Sequence, residues 1–230
     1  MARRGPAVVR DTLTALDAVG LSRVVVAGHS WGAWTALRLA AEAPERVLAV
    51  VALDGGLSWR RRLFGDVAEL RRRMTPPRTA VAVADLRALV RSGPLEPWWS
   101  PEVERAVLSG FEMGADGLAR TRFPFDAHMT VVDDLLSADD DAVLDRVACP
   151  TWLVACSAPG DGGAEAARAA GTQRAAYDRA ATRLARPRVL AWHGAVHDVP
   201  LQWPALVAGL VRAARDDLVR SAPRGEGAPA

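Results

Sequence analysis

Lysine and asparagine are both missing from this chain of 230 residues, and each absence excludes several kinds of chemistry. All 29 basic residues are arginine. Schiff-base catalysis, a Ser-Lys dyad and a phosphate-binding P-loop all require lysine, so these three are excluded. Without asparagine the chain has no N-glycosylation site and no Cys-His-Asn protease triad.

Cysteine and long apolar runs are also scarce. The two cysteines, Cys149 and Cys156, flank an apparent strand, so we predict reduced core thiols that point away from each other. No apolar run reaches the length of a transmembrane helix, and the first residues lack the apolar stretch of a signal peptide. The sequence therefore predicts a cytoplasmic protein with no membrane partner.

The charge balance argues against a nucleic-acid partner, because the formal net charge is only +2. Two arginine clusters, at residues 60–62 and 71–73, lie about three helical turns apart and are surrounded by acidic residues. We interpret them as solvated helix faces.

The most informative stretch is the pentapeptide Gly28-His29-Ser30-Trp31-Gly32. An apolar run typical of a buried strand precedes it, and a helical pattern follows it. A Gly-x-Ser-x-Gly sequence between strand and helix is a nucleophile elbow, which holds the serine at the apex of a sharp turn. We predict that both glycines are needed because a Cβ atom at either position would clash.

The elements around the elbow predict a mostly parallel sheet. A helix is expected over residues 7–19, a strand over 23–27, a helix over 33–42 and a strand over 47–53. Helices and strands that alternate so closely favour parallel strands joined by right-handed crossovers.

The second half of the chain predicts an insertion and then a return to the sheet. Residues 57–146 lack a comparable strand run and are mostly helical in pattern, whereas strands are expected at 151–156 and 189–192. We therefore predict one discontinuous α/β core (1–56 and 147–220), a helical lid (57–146) and a disordered tail (221–230).

A serine nucleophile needs a base, and two histidines lie near the last predicted strand. We favour His197 over His193, because the base of an elbow serine lies on the loop after the last strand. The two histidines are four residues apart, but Gly194 and Pro200 indicate a loop rather than a helix. We therefore predict no metal site.

The acid that orients the histidine has two candidates. Asp161 follows the strand before the last, which is the usual position, and Asp54 follows the strand after the elbow helix. We favour Asp161 and keep Asp54 as the alternative. The backbone N–H of Trp31 is the expected oxyanion donor, and we expect the His29 and Trp31 side chains only to pack against the strand edge.

Six apolar residues of the insertion have two interpretations. They either line an acyl pocket under the lid or form a small core of the lid itself. These residues are Trp98, Trp99, Phe111, Met113, Phe123 and Phe125.

The chain resembles bacterial α/β-hydrolase fold proteins of the lid-bearing serine esterase type. The resemblance depends on residues 24–32, 53–56, 149–154 and 197–200. It implies a mostly parallel sheet flanked by helices, a helical lid and no cofactor. Relatives with an elbow serine include esterases, lipases, thioesterases, acyltransferases and C–C hydrolases, whereas dehalogenases and epoxide hydrolases carry aspartate there.

One departure from the family concerns the start of the chain. In the family the elbow follows several strands and a His-Gly motif that supplies an oxyanion donor, but here only one helix precedes the elbow strand. We therefore expect the N-terminal part of the sheet to be missing and an apolar strand edge to be exposed. A misassigned start codon, a fragment, or a homo-oligomer or partner that covers this edge would each account for the departure.

The sequence thus predicts a serine hydrolase that acts on a small carboxylic ester or related acyl substrate through an acyl-enzyme. Ser30 is the nucleophile, His197 the base, and Asp161 or Asp54 the acid. The alternative is a catalytically impaired, truncated fragment or a non-enzymatic interaction module.

Overall fold

The computed structural model describes residues 5–57, 59–76, 80–157 and 163–221. The helices in chain order are α1 (Gly5–Ala18), α2 (Trp31–Glu42), α3 (Trp59–Phe64), α4 (Val67–Arg73), α5 (Val83–Arg91), α6 (Pro101–Leu108), α7 (Phe125–Ser137), α8 (Asp140–Leu144), α9 (Ala164–Arg183), α10 (Val199–Gln202) and α11 (Pro204–Ser221). The strands are β1 (Val24–His29), β2 (Val47–Leu53), β3 (Val81–Ala82), β4 (Phe111–Met113), β5 (Leu118–Thr121), β6 (Thr151–Ser157) and β7 (Pro187–His193).

The central sheet has four strands in the order β1-β2-β6-β7, and all three pairings are parallel. This confirms the predicted parallel sheet. Strands β2 and β6 are almost completely buried, because helices cover both faces of the sheet. Their unbroken apolar sequences are typical of strands in that position.

Alternate residues of β2 enter two separate hydrophobic cores. Val50 and Ala52 face α2 and α9, where Leu37 and Tyr177 are almost completely buried. Val51 and the residues two positions before and after it pack with β6 and α11 on the opposite face. The sheet is therefore the middle layer of three.

Strand β1 lies at one edge of the sheet. Among the residues that the structure describes, it pairs with β2 alone. Residues 24–26 are half-buried and Ala27 is exposed.

The insertion between β2 and β6 is mostly helical, as predicted, but it also has short strands that were not expected. It contains helices α3 to α8 and a small antiparallel sheet in the order β3-β5-β4. These three strands are two to four residues long. A pattern of alternating polarity needs about four to eight residues to be visible in a sequence, so such strands escape detection.

The C-terminal boundaries also differ from the prediction. Strand β7 extends to His193, so this residue belongs to a strand and not to the following loop. Helix α11 extends to Ser221, and the rest of the predicted disordered tail lies outside the described residues. None of the helices in the described residues combines the length and the apolarity that a membrane span requires.

Candidate active site

The elbow serine has a strained backbone. Ser30 connects β1 to α2 with φ of 55° and ψ of −119°, which places φ in the left-handed region that non-glycine residues seldom adopt. Such a conformation costs on the order of 1–3 kcal/mol and persists only where the surrounding structure holds it. Here the Ser30 N–H donates to the carbonyl of Leu53 at 3.0 Å, which ties the turn to the end of β2.

Two glycines make room for this turn, but only one of them was predicted. A Cβ atom at Gly28 would lie 2.1 Å from the carbonyl oxygen of Gly32, so glycine is required there. The prediction for Gly32 is wrong, since a Cβ atom at that position would meet nothing within 4 Å. The second required glycine is Gly55, where a Cβ would lie 2.1 Å from the Ser30 carbonyl oxygen. Only the parallel pairing of β1 with β2 brings Gly55 to the elbow.

Three predicted side chains form one hydrogen-bonded chain. His197 Nε2 lies 3.1 Å from the Ser30 Oγ, and His197 Nδ1 lies 2.7 Å from Asp54 Oδ2. His197 is on the loop between β7 and α10, as expected. The acid in contact with it is Asp54, the alternative candidate, and Asp161 lies outside the described residues.

The Asp54 carboxylate is held from its other side as well. Its Oδ1 accepts hydrogen bonds from the Cys156 backbone N–H at 3.1 Å and from the Gln173 side chain at 3.2 Å. Gln173 also donates to the Cys156 carbonyl at 3.2 Å. A buried carboxylate with both oxygens bonded has a defined orientation.

Gln173 was missed by sequence reasoning. It is buried in α9, where most other residues are alanine or arginine. The one available signal was a lone glutamine in this helix. That signal does not identify its partner, because Asp54 is 119 residues away.

The His29 side chain does more than pack, which corrects the prediction. Its Nε2–H donates to the backbone carbonyl of His197 at 2.6 Å, and the two rings are 4.8 Å apart. Burial, followed by the nearby His197, lowers the pKa of His29 from its ordinary value. His29 therefore favours the neutral form and anchors the loop that carries His197.

The Trp31 side chain also has a specific partner. Its indole N–H donates to Asp134 Oδ2 in α7 at 3.2 Å. Arg38 of α2 donates to the other oxygen of the same carboxylate at 3.3 Å. These two contacts attach the elbow helix to the insertion.

The rival candidate for the base, His193, does not contact Ser30. The exposed His193 makes a 3.1 Å hydrogen bond between its Nδ1 and the Ser157 hydroxyl, away from Ser30. In the part of the chain that the structure describes, no three His, Cys, Asp or Glu side chains form a metal-binding group.

The cysteines match the prediction for core thiols. Cys149 packs against one face of the sheet and Cys156 against the other, and neither forms a disulfide. Burial and the nearby Asp54 raise the pKa of Cys156 to about 12. Burial also raises the pKa of Cys149, so both thiols favour the protonated, unreactive form at neutral pH.

A cleft with a volume of about 630 Å³, including its open mouth, lies beside Ser30 and His197. The sheet side of the cleft includes Ser30, Trp31, Trp34, Asp54, Gly55, Gly56 and His197. The insertion contributes Leu57, Arg61, Leu70, Met74, Leu135, Leu136, Ala138 and Asp140. The cleft wall is therefore largely apolar, with a few polar groups near the serine.

The six apolar residues proposed for an acyl pocket are not among those that line this cleft. Trp98 and Trp99 instead pack against Leu95, Val103 and Val196 in a small separate core. Phe123 and Met113 have exposed fractions of 49% and 40%. For the two tryptophans, the structure therefore favours the small-core interpretation.

The two predicted arginine clusters have different environments. Residues 71–73 form exposed ion pairs with Asp133 and Glu69, which confirms the solvated-face prediction for that cluster. Arg61 of the first cluster instead lines the cleft, where that prediction is wrong.

Comparison with known proteins agrees with this architecture. The alpha/beta hydrolase fold family model matches residues 5–110. The solved structure of E-2-(acetamidomethylene)succinate hydrolase aligns with a TM-score of 0.68 at 20% identity, covering 94% of this chain and 75% of that protein.

Two further solved structures have the same fold. An M. tuberculosis esterase aligns with a TM-score of 0.59 at 21% identity, over 83% of this chain and 61% of that protein. The thioesterase domain from the curacin biosynthetic pathway aligns with a TM-score of 0.57 at 16% identity, over 89% of this chain and 71% of that domain. The chain has the α/β-hydrolase fold.

Proposed function

We propose that this protein is a serine hydrolase that cleaves a carboxylic ester or related acyl substrate through an acyl-enzyme. The observation that carries the proposal is the unbroken hydrogen-bonded chain from Ser30 through His197 to Asp54 at the wall of a cleft. Nucleophile, base and acid in this order are the arrangement that activates a serine hydroxyl. The esterase and thioesterase among the structural relatives support an acyl substrate.

In the acylation step the Ser30 Oγ attacks the acyl carbon while His197 Nε2 takes its proton. Asp54 stabilises the resulting imidazolium and holds Nδ1 protonated. The carbonyl electron pair moves onto oxygen, and the Trp31 N–H donates to that oxyanion. Trp31 is the first residue of α2, so its N–H has no acceptor within the helix and lies at the positive end of the helix dipole.

The remaining steps use the same groups. The tetrahedral intermediate collapses, the bond to the leaving oxygen breaks, and His197 returns the proton to the departing alcohol. Water then enters, His197 takes a proton from it, and the hydroxide attacks the acyl-enzyme carbonyl. Collapse of the second intermediate releases the acid and returns the proton to Ser30.

We further propose that the insertion is a lid that selects the acyl group. Leu70 and Met74 of the α4 region and Leu135 and Leu136 of α7 line the cleft opposite the sheet. The contacts of Trp31 and Arg38 with Asp134 hold α7 over the elbow.

Turnover of short-chain p-nitrophenyl esters tests the proposal. We expect Ser30→Ala to lower kcat by at least about 10⁴-fold, because it removes the nucleophile. Ser157→Ala is the matched control, since Ser157 also lies within hydrogen-bond distance of a histidine but outside the cleft. A fluorophosphonate probe should label Ser30 in the unmodified protein. Absence of both Ser30-dependent turnover and Ser30 labelling would refute the hydrolase and favour an interaction module.

A second pair of variants tests which aspartate is the acid. Asp54→Asn should lower kcat on the order of 10⁴-fold. An amide stabilises neither the imidazolium nor the tautomer of neutral His197 that is protonated at Nδ1. Asp161→Asn should retain activity within a few-fold. The opposite result would make Asp161 the acid and Asp54 a structural carboxylate.

A further inference from the structure

One wall of the cleft carries an arginine that forms no ion pair with any described carboxylate, and this feature narrows the class of substrate. We propose that the acyl substrate bears a carboxylate group, which Arg61 binds. This proposal rests on the proposed hydrolase function.

Among the described residues, backbone carbonyls hold Arg61 in place. Its Nη1 donates to the carbonyl of Leu136 at 3.0 Å and to that of Ala138 at 3.2 Å. Both acceptors belong to the segment that ends α7, so the guanidinium is fixed on the insertion side of the cleft. Arginine presents five N–H donors in a planar fork, and these two contacts use only one of its three nitrogens.

The combination of partial burial with the lack of a described ion pair distinguishes Arg61 from the other described arginines. Partly buried Arg38 and Arg183 pair with carboxylates, and the described arginines that lack a carboxylate partner are otherwise exposed. Among the arginines whose side chains the structure describes, Arg61 is thus the one that is partly buried and has no carboxylate within 4.0 Å. A cation removed from water without a counter-charge is unfavourable, so a bound anion would stabilise it.

The same cleft is lined by a tryptophan whose N–H has no described acceptor. Trp34 lies one helical turn beyond Ser30, lines the cleft and is 3% exposed. Its indole N–H is the one buried side-chain polar atom without a hydrogen-bond partner in the described part of the chain. Trp34 thus contributes aromatic surface to the cleft, while its unpaired N–H has less than 1 Å² accessible to solvent.

The charge of the cleft favours a carboxylate over a phosphate. Arg61 is the only arginine among the described residues that line it, and the lining also contains the Asp140 carboxylate. A dianion would be repelled by Asp140 and would need further cationic donors, whereas one carboxylate matches one guanidinium in charge and geometry. The rest of the wall is mainly apolar, which suits the methylene chain of a dicarboxylic acid half-ester.

Hydrolysis of matched ethyl esters tests this inference. We expect kcat/KM for one of the monoethyl esters of succinate, glutarate and adipate to exceed that of its neutral diethyl ester. One chain length should be best, because Arg61 lies at a fixed distance from Ser30. Arg61→Gln should reduce kcat/KM for the charged ester by about 10- to 100-fold, the usual loss for a charge-assisted hydrogen bond, and for the neutral ester by less than about 3-fold.

Two further variants control for folding and for net charge. Arg105→Gln makes the same charge change in the same insertion, but its side chain is 74% exposed and lies outside the cleft. It should leave the preference for the charged ester unchanged. Arg61→Lys keeps the charge and should retain part of that preference if Arg61→Gln proves unstable.

A binding measurement separates failure of this inference from failure of the hydrolase proposal. Ser30→Ala protein should bind glutarate, measured by isothermal titration calorimetry, and adding Arg61→Gln should abolish the binding. Arg61-dependent binding of glutarate without Ser30-dependent turnover of any ester would refute the hydrolase and support the carboxylate site. Ser30-dependent turnover with equal rates for charged and neutral esters, or no glutarate binding, would overturn the carboxylate site.

Discussion

A single imidazole, that of His29, joins the elbow strand to the loop that carries His197. It donates to the His197 carbonyl and lies against the His197 ring, so protonation would place a second positive charge beside the proposed base. Burial already disfavours that protonation, which is why the pKa of His29 lies below its ordinary value.

The shifted pKa predicts a pH dependence of stability. Below the ordinary value of 6.5, the unfolded chain binds a proton at His29 that the folded chain does not bind. The free energy of unfolding therefore decreases as the pH falls through that value. The stability that neutral, buried His29 contributes is fully present only above it. In urea unfolding at several pH values between 8 and 5, His29→Gln should lose less stability on acidification than the unmodified protein. Equal losses for the two proteins would contradict this prediction.

At the scale of the elements, β1, the elbow and α2 form a unit in which backbone segments approach each other closely. Gly28 and Gly55 allow contacts that any Cβ atom would prevent, whereas Gly32 lies in α2 with open space beside it. The two glycines of the pentapeptide therefore have different physical roles, although they look equivalent in the sequence.

This difference predicts opposite effects for two alanine substitutions. Gly28→Ala should destabilise the fold by about 1–3 kcal/mol or more, because the new Cβ overlaps the Gly32 carbonyl. Gly32→Ala should be neutral or stabilise the fold by up to about 1 kcal/mol, because alanine is the better helix former. Thermal and urea unfolding of both variants measure the effect, and destabilisation of similar size at both positions would contradict the assignment.

At the scale of the whole molecule, β1 leaves one edge of the sheet without a described partner strand. Its half-buried valines and exposed Ala27 form an apolar edge. Edges of this kind pair with other chains unless a charge, a bulge or a covering segment prevents it. We propose that a second copy of the chain covers this edge.

Sedimentation velocity tests that proposal. We expect the unmodified protein to associate as its concentration rises, and Ala27→Lys to shift it towards monomer, because a charged side chain opposes edge pairing. Leu89→Lys is the control, since Leu89 is 66% exposed on α5 of the insertion, outside the central sheet. A monomer at every concentration, or an equal effect of both lysines, would contradict the proposal.

Much of the fold was predictable because it depends on local patterns. The apolar runs of β1, β2 and β6 are long and continuous, and the elbow glycines mark the turn between β1 and α2. The small antiparallel sheet of the insertion was not predictable, because strands of two to four residues leave no periodic pattern.

The sequence by itself determined the class of fold, the elbow serine and the loop histidine, because each depends on residues that are close in the chain. Only the tertiary structure decided which carboxylate contacts His197, that Gln173 holds that carboxylate, and that Arg61 enters the cleft. The physical reason is the same for all three. Hydrogen bonds and clefts join groups from separate elements, such as Asp54 and His197 at 143 residues apart, and no local pattern encodes which elements meet.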